Sequence, residues 1–129
     1  MRILVTGSRE FTDRHIIEGA LIDCDEDRLV PLSMGWVPPT VVHGACPEGG
    51  ADEIADDMAK DLGWVTEPHP AAFKQFGKKA GPIRNQAMVD LGADVCLGFF
   101  KRGALNKGTT DCVIRAIKAG IPVRTYWEE

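Results

Sequence analysis

The chain has 129 residues, the length of one domain with a substantial core. Its 44% hydrophobic and 26% charged residues are ordinary globular values, which excludes disordered and fibrous classes. A net charge of −4 argues against broad binding of a nucleic-acid backbone, so nucleic acid is not an expected partner. It leaves room for a small anion held by two or three local Arg or Lys residues.

No apolar run approaches the ~20 residues of a membrane span, so no membrane association is expected. The opening Met1-Arg2-Ile3-Leu4-Val5-Thr6-Gly7 is too soon interrupted for a signal peptide, and a cytoplasmic location follows as the expectation. The four cysteines, Cys24, Cys46, Cys96 and Cys112, form no C-x-x-C pair and should stay reduced there. Cys46 with His43 is at most half a metal site, and no second pair stands at suitable spacing, so no metal is expected.

Arg2-Ile3-Leu4-Val5 is an apolar run without polar alternation, which suits a strand covered on both faces. Thr6-Gly7-Ser8-Arg9 follows as a turn whose backbone N–H groups and guanidinium can hold an anion. Thr12 or Asp13 then caps a helix with Ile16, Ile17, Ala20, Leu21 and Cys24 on one stripe. Asp23, Asp25, Glu26 and Asp27 read as its solvated end. Leu29 to Pro39, with Trp36 inside it, is a connection.

Thr40-Val41-Val42-His43 is the second strand. A loop from Ala45 to Gly50 leads to a helix over Ala51 to Leu62, with Ile54, Ala55, Met58, Ala59 and Leu62 inward and Gly63 as its stop. Trp64 to Glu67 is a short third strand, ending at His69-Pro70. Ala71 to Lys79 is looser, and Pro82 suits the first turn of a helix over Gly81 to Leu91. Ala93 to Phe100 is the fourth strand. Gly108 and Thr109 open the last helix, with Val113, Ala116 and Ile117 inward, and Ile121 to Tyr126 is the fifth strand.

Strands separated by helices imply right-handed parallel crossovers. The expected fold is α/β, a single Rossmann-like doubly wound domain with a five-stranded parallel sheet of order 3-2-1-4-5. Its switch point falls between strands one and four, and ligands bind there, outside the carboxyl ends.

The chemistry-bearing residues gather at that edge. The strand tips carry Gly7-Ser8-Arg9, His43-Gly44, His69-Pro70 and Lys101 to Gly108. Gly7 lacks the companions of a G-x-G-x-x-G fingerprint and no P-loop is present, so no resident cofactor is expected. Gly50-Ala51-Asp52 opens the second helix, where Asp52 can accept from a ribose hydroxyl or simply offset the helix dipole. Gly108-Thr109-Thr110-Asp111 opens the last helix, whose N–H groups can bind phosphate. Arg84 and Asn85 lie near the start of the third helix. An Arg there opposes the dipole, so its partner is a ligand phosphate or a carboxylate such as Asp94.

Thr6-Gly7-Ser8-Arg9, Val42-His43-Gly44, Gly50-Ala51-Asp52, His69-Pro70, Ala80-Gly81-Pro82-Ile83-Arg84-Asn85, Met88, Gly108-Thr109 and Gly120-Ile121-Pro122-Val123 together resemble the SLOG superfamily, in its YspA-like branch of bacteria and phages. The resemblance spans nearly the whole chain apart from Leu29 to Pro39. It implies a Rossmann-like domain for nucleotides or nucleotide-derived ligands. The wider superfamily includes cytokinin-activating phosphoribohydrolases, the DNA-processing protein DprA and sensors of NAD-derived signals. The phosphoribohydrolases carry P-G-G-x-G-T-x-x-E. In the corresponding stretch, Ala104 to Cys112, the Pro-Gly-Gly is missing and Cys112 stands in the place of the catalytic Glu. Asp111 is its neighbour, about 100° round the helix and one methylene shorter than Glu, so it does not simply inherit the role.

The first expectation is therefore a binding module for an AMP-, NAD- or ADP-ribose-like molecule, acting as sensor, carrier or sequestering protein. Its ligand-binding residues would be Gly7, Ser8, Arg9, His43, Gly44, Gly50, Ala51, Asp52, His69, Arg84, Asn85, Gly108, Thr109 and Thr110. The alternative is a hydrolase of a nucleotide N-glycosidic bond, with Asp111 or Asp52 as the catalytic carboxylate. DprA-like single-strand binding is a third reading, weakened by the acidic balance and by the shortage of aromatics interleaved with basic residues. A homodimer is expected, with Trp36 or Trp127 as candidate interface residues. The nucleotide reading requires Arg9, Gly44, Arg84 and Gly108 to line one hollow.

Overall fold

The computed structural model describes residues 1–26 and 37–129, and of Glu26 the backbone alone. The acidic run's Asp27 and most of the connection, including Trp36, lie outside the described residues. Strands and helices alternate: β1 (Arg2–Gly7), α1 (Arg14–Glu26), β2 (Thr40–His43), α2 (Ala51–Asp61), β3 (Val65–Pro68), α3 (Phe73–Phe76), a 3₁₀ turn (Gly77–Lys79), α4 (Ala80–Asp90), β4 (Val95–Lys101), α5 (Lys107–Lys118) and β5 (Val123–Glu128). All four strand pairings are parallel and the order is β3-β2-β1-β4-β5. The doubly wound α/β sheet expected from the strand pattern is the one observed.

β1 sits in the middle because it is apolar on both faces. Ile3 and Val5 belong to one core with α1 and α2, whereas Leu4 belongs to the other with α4 and α5. Cys96 and Cys112 are fully buried in this second core, as small packing residues. Asp13 caps α1, its Oδ1 accepting from the N–H of His15 at 3.0 Å and of Ile16 at 3.2 Å.

Two inward assignments are corrected. Ile117 is 59% exposed, because the buried stripe of α5 centres on Thr109 and Ala116 and Ile117 lies roughly 80° round from it. Leu62 is 39% exposed, since α2 ends at Asp61 and Leu62 is already its C-cap. β5 starts two positions late because Ile121-Pro122 makes the entry to the strand. Asp94 turns out to be a partner of Arg2, its Oδ2 accepting from the Arg2 backbone N–H at 2.7 Å, and has no contact with Arg84.

Arg2 of β1 reaches past β2 to β3, where it forms a two-pronged pair with Glu67 at 2.8 and 3.1 Å. Donation from Arg2, helped by His69, depresses the Glu67 carboxyl to about 2. A carboxylate lowered on folding contributes stability above its unfolded value, near 4.5, and loses it as pH falls toward the folded value. Both side chains are about a third exposed, so solvent screening leaves about 1 kcal/mol. Glu67→Gln is expected to cost that amount at neutral pH and only a small part of it at about pH 2, read by denaturant unfolding at both.

Candidate functional site

Three of the four strand tips converge. The end of β1, the β2–α2 loop, the second turn of α4 and the β4–α5 loop surround a cavity of about 350 Å³ at the β1/β4 switch point. That is within the size range of small-molecule sites. Gly7, Ser8, Arg9, Gly44, Asp52, Arg84, Asn85, Gly108 and Thr109 all line it. Arg9, Gly44, Arg84 and Gly108 thus meet in one hollow.

Arg84 explains its odd place near a helix start. Its guanidinium crosses from α4 to the β2 tip, where Nη1 donates to the carbonyl of Gly44 and, at 3.4 Å, to that of His69. Nε donates to Asn85 Oδ1 at 2.9 Å. A Cβ on Gly44 would overlap this guanidinium. Gly44→Ala is expected to cost little stability, because the far end of a flexible side chain can move aside, but to push Arg84 off its seat. Chemical denaturation measures the first effect, and loss of any ligand-induced rise in melting temperature the second.

Asn85 is 3% exposed and extends the network. Its Nδ2 donates to the Gly108 carbonyl at 3.2 Å and to Asp111 Oδ2 at 3.0 Å. Asp111 in turn accepts from Arg115 Nε at 2.9 Å. α4 and α5 are thereby locked together directly behind the cavity wall.

The start of α5 is left open toward the cavity. Asn106 stands at its N-cap with φ 52°, yet its side chain does not cap the helix. It ties the preceding loop instead, accepting from Lys101 N–H and donating to the carbonyls of Lys101 and Ala104. The first-turn N–H groups of an uncapped helix carry partial positive charge suited to an anion. Lys107 and Arg9 add formal positive charge at the rim, Arg9 only loosely paired with Glu48 at 3.6 Å.

Asp52 is the buried carboxylate of the cavity, 6% exposed. Burial pushes its carboxyl above the usual range. Neighbouring His43 and Arg84 and the N–H groups of Cys46 and Gly44 offset this only in part. A displaced carboxyl inside a concave site is what proton transfer or hydroxyl recognition calls for.

The remaining candidates lie elsewhere. His43 is buried and turned the other way: Ala45 N–H donates to Nδ1, and Nε2 meets Asp56 Oδ1 at 2.8 Å. His69 pairs its ring with Glu67 and offers the site only its backbone carbonyl. Gly50 and Ala51 form the seam between α2 and β1. A Cβ at Gly50 would overlap the Arg9 backbone, the Ala51 methyl leaves no room for one on Gly7, and Ala51 N–H donates to the Ser8 carbonyl at 3.1 Å. Thr110 is exposed outside the cavity, its N–H bonded to the Asn106 carbonyl. Asp111 lines a separate shallow groove with Gln86 and Arg115. Partial burial works against its ionisation, but the bonds from Arg115 and Asn85 win and keep its carboxyl below the usual range.

The Gly-Ser tip also works differently from the anion-holding turn expected of it. Ser8 N–H donates to the Phe99 carbonyl at 2.9 Å, so the tip continues the sheet, and α1 begins only at Arg14. Cys46, Glu48, Glu10, Thr6, Met88 and Asn106 also line the cavity, though none is among the expected ligand-binding residues. The loops carrying Cys46, Glu48 and Asn106 were identifiable, but which of their side chains turn inward was not. Among the described residues no group of three or more His, Cys, Asp or Glu side chains is arranged to hold a metal. No described helix is long and apolar enough to cross a membrane.

The model of a protein family described as "YspA, cpYpsA-related SLOG family" matches residues 1–76. Over 133 residues the chain is 41% identical to the Gene 61 protein of Mycobacterium phage D29, covering 99% of this chain and 98% of that protein. No solved structure gives a significant match.

Proposed function

Because the chain belongs to the YspA, cpYpsA-related SLOG family, we propose that it binds a nucleotide or nucleotide-derived ligand, of the AMP or ADP-ribose kind, in the cavity at the β1/β4 switch point. The observation that carries this reading is the pairing, in one hollow, of an uncapped helix start and Arg84 with a buried carboxylate, Asp52. The first two suit a phosphate and the third suits a sugar hydroxyl. Arg9 and Lys107 at the rim favour an anionic ligand over a free nucleoside.

The test is thermal unfolding with AMP, ADP-ribose and NAD, followed by chromatography of each mixture. A melting temperature that rises with ligand concentration, with the ligand recovered intact, is the expected result. No shift with any of the three would remove the proposal.

A second reading, hydrolysis of an N-glycosidic bond, is favoured by one feature. Asp52 lies in the cavity with its carboxyl raised above the usual range by burial, whereas Asp111 is tied to Arg115 and Asn85 outside the cavity. Free base released by the wild type and not by Asp52→Asn would establish it.

A further inference from the structure

Among the described residues, two non-glycine residues have a left-handed backbone, Asn106 at φ 52° and Ala45 at φ 50°. Asparagine tolerates that region and holds itself there, its side chain being bonded to Lys101 and Ala104. Alanine has no such means, and its Cβ makes the conformation costly, so a neighbour must hold it. That neighbour is the His43 ring. Ala45 N–H donates to Nδ1 at 3.0 Å, the same two-residue bridge that an Asn or Asp side chain makes to its own backbone. The ring is fixed from its other side as well. With Nδ1 accepting, the ring proton stands on Nε2 and is donated to Asp56 Oδ1 at 2.8 Å, while Asp56 Oδ2 pairs with Lys60 at 2.7 Å. The residues on either side of Ala45 serve the cavity. The Gly44 carbonyl accepts from Arg84 Nη1, and Cys46 N–H donates to Asp52 Oδ2 at 3.3 Å.

We propose that His43 is a positioning residue for the cavity: by holding Ala45 left-handed, it aims the Gly44 carbonyl at Arg84 and the Cys46 N–H at Asp52. The ring does not line the hollow and acts only through those two groups. The Gly44 carbonyl and Ala45 N–H belong to one planar peptide unit, so fixing the N–H on His43 fixes the direction of the carbonyl. Cys46 N–H belongs to the next unit, whose tilt against the first is set by φ and ψ of Ala45 alone. Relaxation of Ala45 to an ordinary φ would swing the two planes apart, and Arg84 and Asp52 could not both keep their partners. Packing accounts for the burial of the ring, but not for a side chain that accepts at one nitrogen and donates at the other. The effect of His43 on ligand affinity rests on the nucleotide reading, whereas its effect on the loop does not.

The test compares two substitutions, each of which keeps one half of the ring's hydrogen bonding. In His43→Asn the side-chain oxygen stands where Nδ1 did and accepts from Ala45 N–H, whereas the bond to Asp56 is lost. In His43→Gln the longer amide reaches Asp56 and leaves Ala45 N–H without its acceptor. NMR amide exchange on the free protein should show Ala45 and Cys46 exchanging at least about tenfold faster in His43→Gln than in His43→Asn, with the amides of β1 unaltered. Isothermal titration with AMP should show His43→Gln at least about tenfold weaker than the wild type and His43→Asn within about threefold of it. Ala45→Gly added to His43→Gln should recover several-fold of the loss, since glycine takes a positive φ at no steric cost. Where His43→Gln does not fold, Ala45→Val with His43 intact takes its place, because a branched residue is a poor occupant of the left-handed region. It should speed exchange at Cys46 and weaken AMP binding in the same way. Equal exchange in the Gln and Asn variants, AMP affinity that follows melting temperature instead of the Ala45 bond, or no recovery by Ala45→Gly would each overturn the proposal. Should the wild type not bind AMP, the nucleotide reading falls and the exchange comparison alone decides for or against His43.

Discussion

Replacing Arg84 with alanine is expected to lower the affinity for AMP or ADP-ribose by about 100-fold or more, while the protein still folds. The guanidinium is the most enclosed positive charge in the cavity wall, anchored by the carbonyls of Gly44 and His69 and by Asn85. Truncating one partner of an enclosed charge pair costs about 2–5 kcal/mol, and each 1.4 or so is a factor of ten. The structural cost is smaller. The Gly44 carbonyl and Asn85 Oδ1 lose a donor, at about 1–3 kcal/mol for a group left unsatisfied, and incoming water relieves part of that. Arg84→Lys keeps the charge but not the fork that spans two carbonyls and Asn85, so it should recover only a fraction of the affinity. Isothermal titration gives the affinity and chemical denaturation the stability. Wild-type affinity in folded Arg84→Ala would exclude Arg84 from the site, and an unfolded variant whose Lys counterpart is also unfolded would mark the residue as structural.

The second large effect is expected at Asp52, where stability and binding should move in opposite directions. An acid whose carboxyl is raised on folding binds more protons in the folded state than in the unfolded one. Stability therefore falls as pH rises from about 4, the ordinary Asp value, through the raised folded value, and stays low above it. Asp52→Asn removes that penalty while retaining an oxygen that can accept from Cys46 N–H, now received by Oδ2 at 3.3 Å. The variant should be more stable at neutral pH by about 1 kcal/mol, with a flatter dependence on pH. Binding should go the other way. A hydroxyl donated to a carboxylate is roughly twice as strong a bond as one donated to an amide, so AMP affinity should drop about tenfold. In the wild type, affinity should climb with pH as Asp52 ionises, and this climb should vanish in the variant. Urea unfolding and titration across pH measure both. A variant that is less stable at neutral pH, or that binds AMP with an unchanged pH profile, would show that Asp52 is buried for the sake of the fold alone.

These expectations rest on a site that was only partly legible beforehand. Glycine and polar residues at strand tips and helix starts pointed to Gly44, Asp52, Arg84, Asn85 and Gly108, because the tips of parallel strands and the starts of the helices that follow them share one edge of the sheet. The same logic over-counted. His43 and His69 stand at tips as well, yet a tip residue turns its side chain up or down according to its place in the pleat. Asp56 and Glu67 claim these two rings away from the cavity. Asp111 is one helical position from Cys112, and that single step moves it from the core to a groove behind the wall.

By itself the sequence determined the sheet. Alternation of apolar strands with amphipathic helices leaves few topologies once crossovers must be right-handed, and the order β3-β2-β1-β4-β5 followed from that. It also located the edge at which charged and glycine-rich turns accumulate. Only the tertiary structure decided which of those groups share a hollow, because that depends on partners far apart in the chain. Arg84 is drawn to a carbonyl of residue 44, Asn85 to residues 108 and 111, and Ser8 N–H is consumed by residue 99. Periodicity carries the burial of whole faces, whereas the direction of one polar side chain is set by whichever distant donor or acceptor reaches it first.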